Sequence, residues 1–117
     1  MPMKSILMFA MATSCGAMSA YAAEPPRLKM WNLTPETLVD IRLAPAGSLA
    51  FGENQCANDK DGQVEFDEMV RITKTPPGSY DLRLRDVKGR TCFARRIQVP
   101  AEGNFAVGEK ELVDCAP

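Results

Sequence analysis

Turn-forming residues interrupt the chain after residue 22 so often that few long helices could form. Breaks containing proline or glycine fall at 34–36, 44–48, 76–78, 86–89 and 100–103. The stretches Thr37–Leu43 and Tyr80–Arg85 alternate apolar and polar residues, as half-buried strands do. Short strands at this spacing, joined by turns, are typical of antiparallel sandwiches. We therefore predict an all-β fold: a small antiparallel β-sandwich of about six to seven strands.

One stretch is compatible with two structures. As a strand, 64–73 places Val64, Phe66, Val70 and Ile72 on one face. As a helix over 66–74, it brings Phe66 and Val70 together at helical spacing and makes the fold α+β. We favour the strand because β-branched residues end the stretch and two prolines follow at 76 and 77.

The alternation also predicts which side chains face the core. It places Leu38 on the face opposite Ile41. It turns Asp81 outward between inward-facing tyrosine and leucine residues. In the strand 92–99 it turns Phe93 inward, which places Arg95 on the same face.

Residues 1–22 have the pattern of a secretory signal. Lys4 precedes the apolar run 6–12, and Ala20-Tyr21-Ala22 forms a small-residue cleavage site. A span would need roughly 20 apolar residues, so we predict no membrane span. A single domain over 23–117 would then be periplasmic or secreted. Lipoprotein processing at Cys15, which follows small residues, is the alternative.

Three cysteines remain after export, and an oxidising compartment favours pairing. Cys92 begins one predicted strand and Cys115 ends the next, so antiparallel pairing would bring them together. A Cys56–Cys92 bond is the alternative. An unpaired Cys56 would permit a thiol-dependent enzyme or a redox protein. The chain contains no histidine, which excludes Ser–His and Cys–His catalysis and histidine-ligated metals.

The stretch 57–68 resembles an EF-hand calcium loop. Its candidate oxygen ligands are Asp59, Asp61, Gln63, Glu65 and Glu68, with a glycine at the sixth position and a glutamate at the twelfth. Ala57 stands at the first position, where the motif has an aspartate. The alternative is an ordinary turn followed by a strand with an acidic face. A bound calcium ion is the only cofactor that the sequence suggests.

Charge is balanced overall, with 14 Lys and Arg against 15 Asp and Glu, so bulk charge indicates no nucleic-acid partner. Locally it is uneven, because the acidic stretch 53–68 precedes a basic hairpin. Five arginines define a candidate anion or partner patch: Arg83, Arg85, Arg90, Arg95 and Arg96. The alternative is that the basic hairpin faces acidic groups of the same molecule.

Several local patterns carry a family resemblance. They are Trp31–Thr34, the strand end 43–48, the Phe51–Asn54 step, Asn58–Gly62 and the pair Pro76–Arg83 and Asp86–Cys92. Across roughly 27–115 the chain resembles a loose group of small exported proteins of Gram-negative bacteria, mostly of unassigned function. The resemblance implies a compact antiparallel β-sandwich and an extracytoplasmic location, and it transfers no catalytic residue.

These observations together predict an exported binding protein that is not an enzyme. Its partner would be another envelope or secreted protein, contacted through the basic hairpin or the long 45–63 loop. A calcium-binding domain built on 57–68 and a thiol-dependent protein built on Cys56 are the two alternatives.

Overall fold

The computed structural model describes residues 27–117 and folds them into two packed β-sheets. The seven strands are β1 (Leu28–Leu33), β2 (Leu38–Pro45), β3 (Glu68–Arg71), β4 (Gly78–Asp86), β5 (Thr91–Val99), β6 (Gly103–Gly108) and β7 (Leu112–Ala116). The only helical elements in this part of the chain are two short 3-10 turns, Gln55–Asn58 and Glu109–Glu111. The prediction of a small all-β sandwich is confirmed. The predicted signal at 1–22, with Cys15, lies outside the described residues.

The chain crosses repeatedly between the two sheets. The three-stranded sheet has the order β3-β1-β6, and the four-stranded sheet has the order β2-β4-β5-β7. All strand pairs are antiparallel except β1–β6, which is parallel. Parallel neighbours need a long crossover, and here β2 to β5 form that connection.

The core lies between the sheets and consists of aliphatic side chains from both. Met30 and Val107 from the three-stranded sheet and Ile41 and Leu82 from the four-stranded sheet are fully buried. Burial of such side chains stabilises a fold by about 1.5–3 kcal/mol each. The alternation in the sequence therefore identified core residues of β2 and β4 correctly, among them Ile41 and Leu82.

Bulges shift the alternation and overturn two of the predicted orientations, those of Leu38 and Phe93. Leu38 is buried together with Ile41, because the register between β2 and β4 shifts just after Leu38. In β5, Arg95 and Arg96 together lie opposite Asp81, and Arg96 has φ +54°. This bulge turns Phe93 to the outer face. Asp81, which was predicted to face solvent, is buried, and its carboxylate accepts from Gly47 of the loop after β2 and from Arg96 of the bulge.

The stretch 64–73 is neither the long strand nor the helix. Only Glu68–Arg71 is a strand, and the helical alternative over 66–74 is wrong. Asp67 has φ +69°, a conformation that interrupts both structures. Val64 and Val70 reach the core, whereas Phe66, which was predicted to accompany them, is 59% exposed.

The predicted disulfide is confirmed: Cys92 is bonded to Cys115, and Cys56 is a buried free cysteine. A bulge at Asp114, which has φ +53°, shifts the register of β7 on β5 between the pairs Thr91–Ala116 and Phe93–Val113. The bond fastens the C-terminal strand to the four-stranded sheet.

Residues 52–64, which we call the sealing segment, cover the outer edge of β2. Leu38 and Val64 exchange two backbone hydrogen bonds of 2.9 Å. The Asn54 side-chain amide makes the hydrogen bonds that a neighbouring strand would otherwise make. Its oxygen accepts from the Ile41 N–H (3.0 Å), and its nitrogen donates to the Val39 carbonyl (3.3 Å). These bonds satisfy an edge that would otherwise be open to aggregation.

The sealing segment also reaches the edge of the other sheet. The Asn58 side chain donates to the Arg71 carbonyl at 2.8 Å. The buried Gln55 amide both accepts from the Thr73 N–H (3.0 Å) and donates to the Thr73 carbonyl (3.1 Å). One side of the sandwich is therefore closed by amide side chains, and this closure is the role that the structure gives to the irregular loop.

Candidate functional site

The structure separates the five predicted arginines into two groups. Arg83 and Arg85 lie on the outer face of the four-stranded sheet, because their neighbours Leu82 and Leu84 point into the core. Arg95 reaches the same face from β5. The other two, Arg90 and Arg96, belong to the turn after β4 and to the β5 bulge.

Arg90 and Arg96 have structural roles. The Arg90 Nε donates to the buried Asp86 carboxylate at 3.2 Å, and Arg90 also lies 3.8 Å from a Glu109 oxygen. Arg96 contributes its backbone N–H to the Asp81 carboxylate at 3.0 Å. The other three arginines share the outer face of the four-stranded sheet.

Two phenylalanines complete this surface, which we call the arginine face: Phe51, Arg83, Arg85, Phe93 and Arg95. The Arg83 guanidinium lies 5.0 Å from the centre of the Phe51 ring, and that of Arg95 lies 4.3 Å from the centre of the Phe93 ring. The two ring centres are 6.1 Å apart, with the rings tilted by 53°. Cation–π contacts of this kind hold long side chains in place on an exposed surface.

The cations of the arginine face differ in their partners. Arg95 is paired with Asp81 at 3.6 Å and with Asp114 at 3.4 Å. No carboxylate within residues 27–117 forms an ion pair with Arg83 or Arg85. Two guanidiniums therefore face solvent with their charge uncompensated by an ion pair.

A neighbouring arginine on β2 shows the contrast. Arg42 makes two hydrogen bonds to Asp40, of 2.9 and 3.2 Å, and a third to the Gly52 carbonyl at 3.3 Å. The hydrogen bond to Asp40 raises the pKa of Arg42 above its usual value. Since Asp40 is engaged by Arg42, it makes no ion pair with Arg85, its cross-strand neighbour.

Phe51 reaches the arginine face because the loop after β2 folds back over the sheet. The Gly52 N–H donates to the Leu43 carbonyl at 2.9 Å, and the Gly47 N–H donates to the Asp81 carboxylate at 3.0 Å. Gly47 has φ +84°, a conformation that glycine adopts without strain.

Asp81 therefore links the loop after β2 to the β5 bulge beside the arginine face. Its carboxylate accepts backbone N–H bonds from Gly47 and Arg96, and these bonds lower its pKa from the ordinary value. Sequence reasoning missed both Asp81 and Phe51. Alternation assigned Asp81 to solvent, and nothing local to Phe51 indicates which strand its ring contacts.

The acidic loop 57–68 forms a turn with locally engaged carboxylates. Asp59 accepts from the Asp61 N–H at 2.9 Å, and Glu68 accepts from the Glu65 N–H at 2.7 Å. Gly62 has φ +72°, as the predicted turn requires. Gln63 and Glu65 are exposed. Within the described residues, no three acidic or cysteine side chains are grouped closely enough to hold a metal ion. Calcium binding stays a prediction.

Cys56 belongs to the sealing segment, and its side chain is fully buried. Its thiol lies 3.7 Å from the Leu38 carbonyl, to which it donates. Burial, reinforced by Asp40 and Asp59, raises the pKa of the thiol to about 12. Reactive cysteines need the reverse, an accessible thiol with a lowered pKa. Its surroundings therefore oppose the thiol-dependent alternative.

A cavity of about 330 Å³ opens between the loop after β2 and the 73–76 turn. Gln55 in its wall is engaged by Thr73, as described above. At its rim, Lys74 lies 3.6 Å from a Glu53 carboxylate oxygen. Two threonine hydroxyls line it, and both are engaged: Thr73 donates to Gln55 Oε1 at 3.3 Å, and Thr75 donates to the Thr73 carbonyl at 2.9 Å. The arginine face therefore remains the strongest candidate site.

Along residues 27–117, no helix is both long enough and apolar enough to cross a membrane. Comparison of the chain with protein-family models, curated proteins and solved structures gives no match.

Proposed function

We propose that this chain is an exported binding protein without enzymatic activity and that it recognises an anionic partner through the arginine face. The observation that carries the proposal is the pair Arg83 and Arg85, two guanidiniums without an ion-pair partner in the described chain. One of them is stacked on the ring of Phe51.

The physical character of this surface supports recognition. Arginine and aromatic side chains dominate the binding energy of protein interfaces. A guanidinium that is already stacked on a ring loses less conformational entropy when it binds a ligand. Its N–H groups can still form a bidentate pair of hydrogen bonds with a carboxylate. The proposed partner is another envelope or secreted protein with an acidic surface.

Two features support the proposed location outside the cytoplasm. The disulfide between Cys92 and Cys115 is compatible with an oxidising compartment. The signal-like pattern at 1–22 and the resemblance to small exported sandwich proteins of Gram-negative bacteria form part of the same proposal.

A chromatographic comparison tests the proposal. The mature chain is applied to a carboxylated or sulfated resin and eluted with salt. The double variant Arg83→Ser/Arg85→Ser should elute at clearly lower salt than the parent. Arg71→Ser is the matched control, because Arg71 is an exposed arginine on β3 of the other sheet. Equal elution of the double variant and the parent would reject the arginine face as the recognition surface.

A further inference from the structure

We infer that the partner segment is a single extended acidic polypeptide that lies along β4, with carboxylates two residues apart opposite Arg83 and Arg85. This inference rests on the proposed function and adds the chemistry and the conformation of the ligand. It depends on three properties of the arginine face. They are the spacing of Arg83 and Arg85, the width of the positive strip that these two residues form along β4, and the apolar surface beside Arg83.

The spacing of the two free cations is that of a β-strand. Arg83 and Arg85 are two residues apart on one face of β4. A strand rises about 3.3 Å per residue, so their Cα atoms are separated by roughly 6.6 Å. An extended peptide has the same rise. Alternate acidic residues in such a peptide therefore repeat at the distance that separates the two guanidiniums.

The positive strip is about one strand wide. On the β2 side Asp40 stands directly across from Arg85, and on the β7 side Asp114 is exposed beside Arg95. Asp40 is paired with Arg42, and on β5, which lies between β4 and β7, Arg95 is paired with Asp81 and Asp114. Adjacent strands are about 4.8 Å apart, so these ion pairs flank the uncompensated charge of Arg83 and Arg85 on both sides. A broad polyanion would meet both carboxylates, whereas a single extended chain would meet only the arginines.

Apolar side chains flank Arg83. Phe51 stacks on Arg83, and Phe93 is its cross-strand neighbour. Val113, which pairs with Phe93 from β7, is 42% exposed. An apolar side chain close to the carboxylate that meets Arg83 would contact this surface. Sulfate and phosphate polymers have no such side chain, so the surface fits a polypeptide better.

Two synthetic heptapeptides of equal composition test the inference. The first is Leu-Ser-Glu-Ser-Glu-Ser-Leu, which reads the same in both directions and presents both glutamates and both leucines on one face. The second, Leu-Ser-Glu-Glu-Ser-Ser-Leu, splits the glutamates between the two faces. A sulfated polysaccharide is the third probe. Fluorescence anisotropy measures binding of each probe to the mature chain at low salt.

We expect the alternating peptide to bind several-fold more tightly than its isomer. The double variant Arg83→Ser/Arg85→Ser should weaken binding about tenfold, since exposed ion pairs contribute modestly and add when they are independent. Arg71→Ser should bind like the parent. Arg83→Lys, which keeps the charge but presents no planar guanidinium to Phe51, should give an intermediate loss. Unchanged melting temperatures would show that the variants are folded.

The other outcomes separate this inference from the proposed function. Equal binding of the two peptides, still dependent on Arg83 and Arg85, would overturn the extended register and leave the binding function standing. Arginine-dependent binding of the polysaccharide alone would overturn the polypeptide ligand and also leave the function standing. The absence of any arginine-dependent binding would overturn both.

Discussion

The sealing segment and the arginine face were both singled out by the sequence, and they differ in how their polar groups are engaged. In the sealing segment, Asn54, Gln55 and Asn58 bond directly to strand edges. On the arginine face, Arg83 and Arg85 make no ion pair within the described chain. The difference separates a segment that maintains the fold from a surface that remains able to bind.

The largest loss of stability is expected for substitution of Asn54. Asn54→Ala removes the acceptor of the buried Ile41 N–H and of the Cys56 N–H. Unsatisfied buried groups of this kind cost about 1–3 kcal/mol each, so we expect a loss of about 3 kcal/mol in the free energy of unfolding by urea. Asn104→Ala, on the exposed part of β6, is the control and should change stability by less than about 0.5 kcal/mol. Similar losses in both variants would remove the special role of the sealing segment.

Removal of the disulfide should cause a comparable loss of stability. The bond lies near the opposite edge of the four-stranded sheet, where β7 pairs with β5. The bond closes a separation of 23 residues. The double variant Cys92→Ala/Cys115→Ala should be destabilised by about 3 kcal/mol in the chain-entropy account. Denaturant unfolding of the two forms measures this loss. Cys56→Ala, which keeps the bond, should lose less, and the reverse order would contradict the assignment of Cys56 as the unpaired thiol.

The carboxylate beneath the arginine face should make stability depend on pH. The pKa of Asp81 is lower in the folded chain than in the unfolded one. The ionised group therefore contributes stability above the unfolded pKa of about 3.9, and this contribution is lost as the pH falls through that value towards the folded pKa.

Melting curves from neutral pH down to about pH 2.5 test this dependence. Asp81→Asn should lower the melting temperature at neutral pH and flatten the acid decline. Asp114→Asn is the control, because Asp114 is an exposed carboxylate whose loss should leave the decline intact. An acid decline of equal steepness in Asp81→Asn and the parent would show that Asp81 is not responsible.

The smallest effect is expected for calcium. The Asp59 and Glu68 carboxylates already accept local N–H bonds, and Ala57 offers no side-chain ligand at the first position. We expect millimolar calcium to shift the melting temperature by no more than about 1 °C, as for a ligand well below its dissociation constant. A clear rise with calcium that disappears in Glu68→Gln would instead establish the EF-hand-like site. Magnesium is the matched ion control.

Sequence reasoning succeeded wherever a local pattern decided the structure. Alternation in 80–85 located β4, and the positions of Cys92 and Cys115 on neighbouring strands predicted the disulfide. It failed where a bulge interrupts a strand, because one extra residue reverses the alternation on one side of the bulge relative to the other. Leu38 and Phe93, the two side chains misplaced for this reason, both precede such a shift. At the β5 bulge Arg96 has a positive φ, which residue type alone does not reveal.

The candidate site was predictable only where it lies on a regular strand. Arg83 and Arg85 were identified correctly, since both lie on the regular stretch of β4. The Arg90 guanidinium is engaged by Asp86, a contact that proximity in sequence does not reveal. The inclusion of Arg90 and Arg96 in the patch stays a prediction. Phe51 was missed, since its contact with Arg83 spans 32 positions and depends on the fold of the intervening loop.

The sequence by itself determined the all-β class, the core face of the regular strands β2 and β4, and the disulfide. These properties follow from periodicity and turn chemistry over fewer than about ten residues, or from adjacent strands. Only the tertiary structure decided that amide side chains close the sheet edges and that Arg83 and Arg85 have no ion-pair partner in the described chain. Both depend on bulges and loop contacts between distant residues. Whether a charge is compensated is a property of the surroundings that the fold creates.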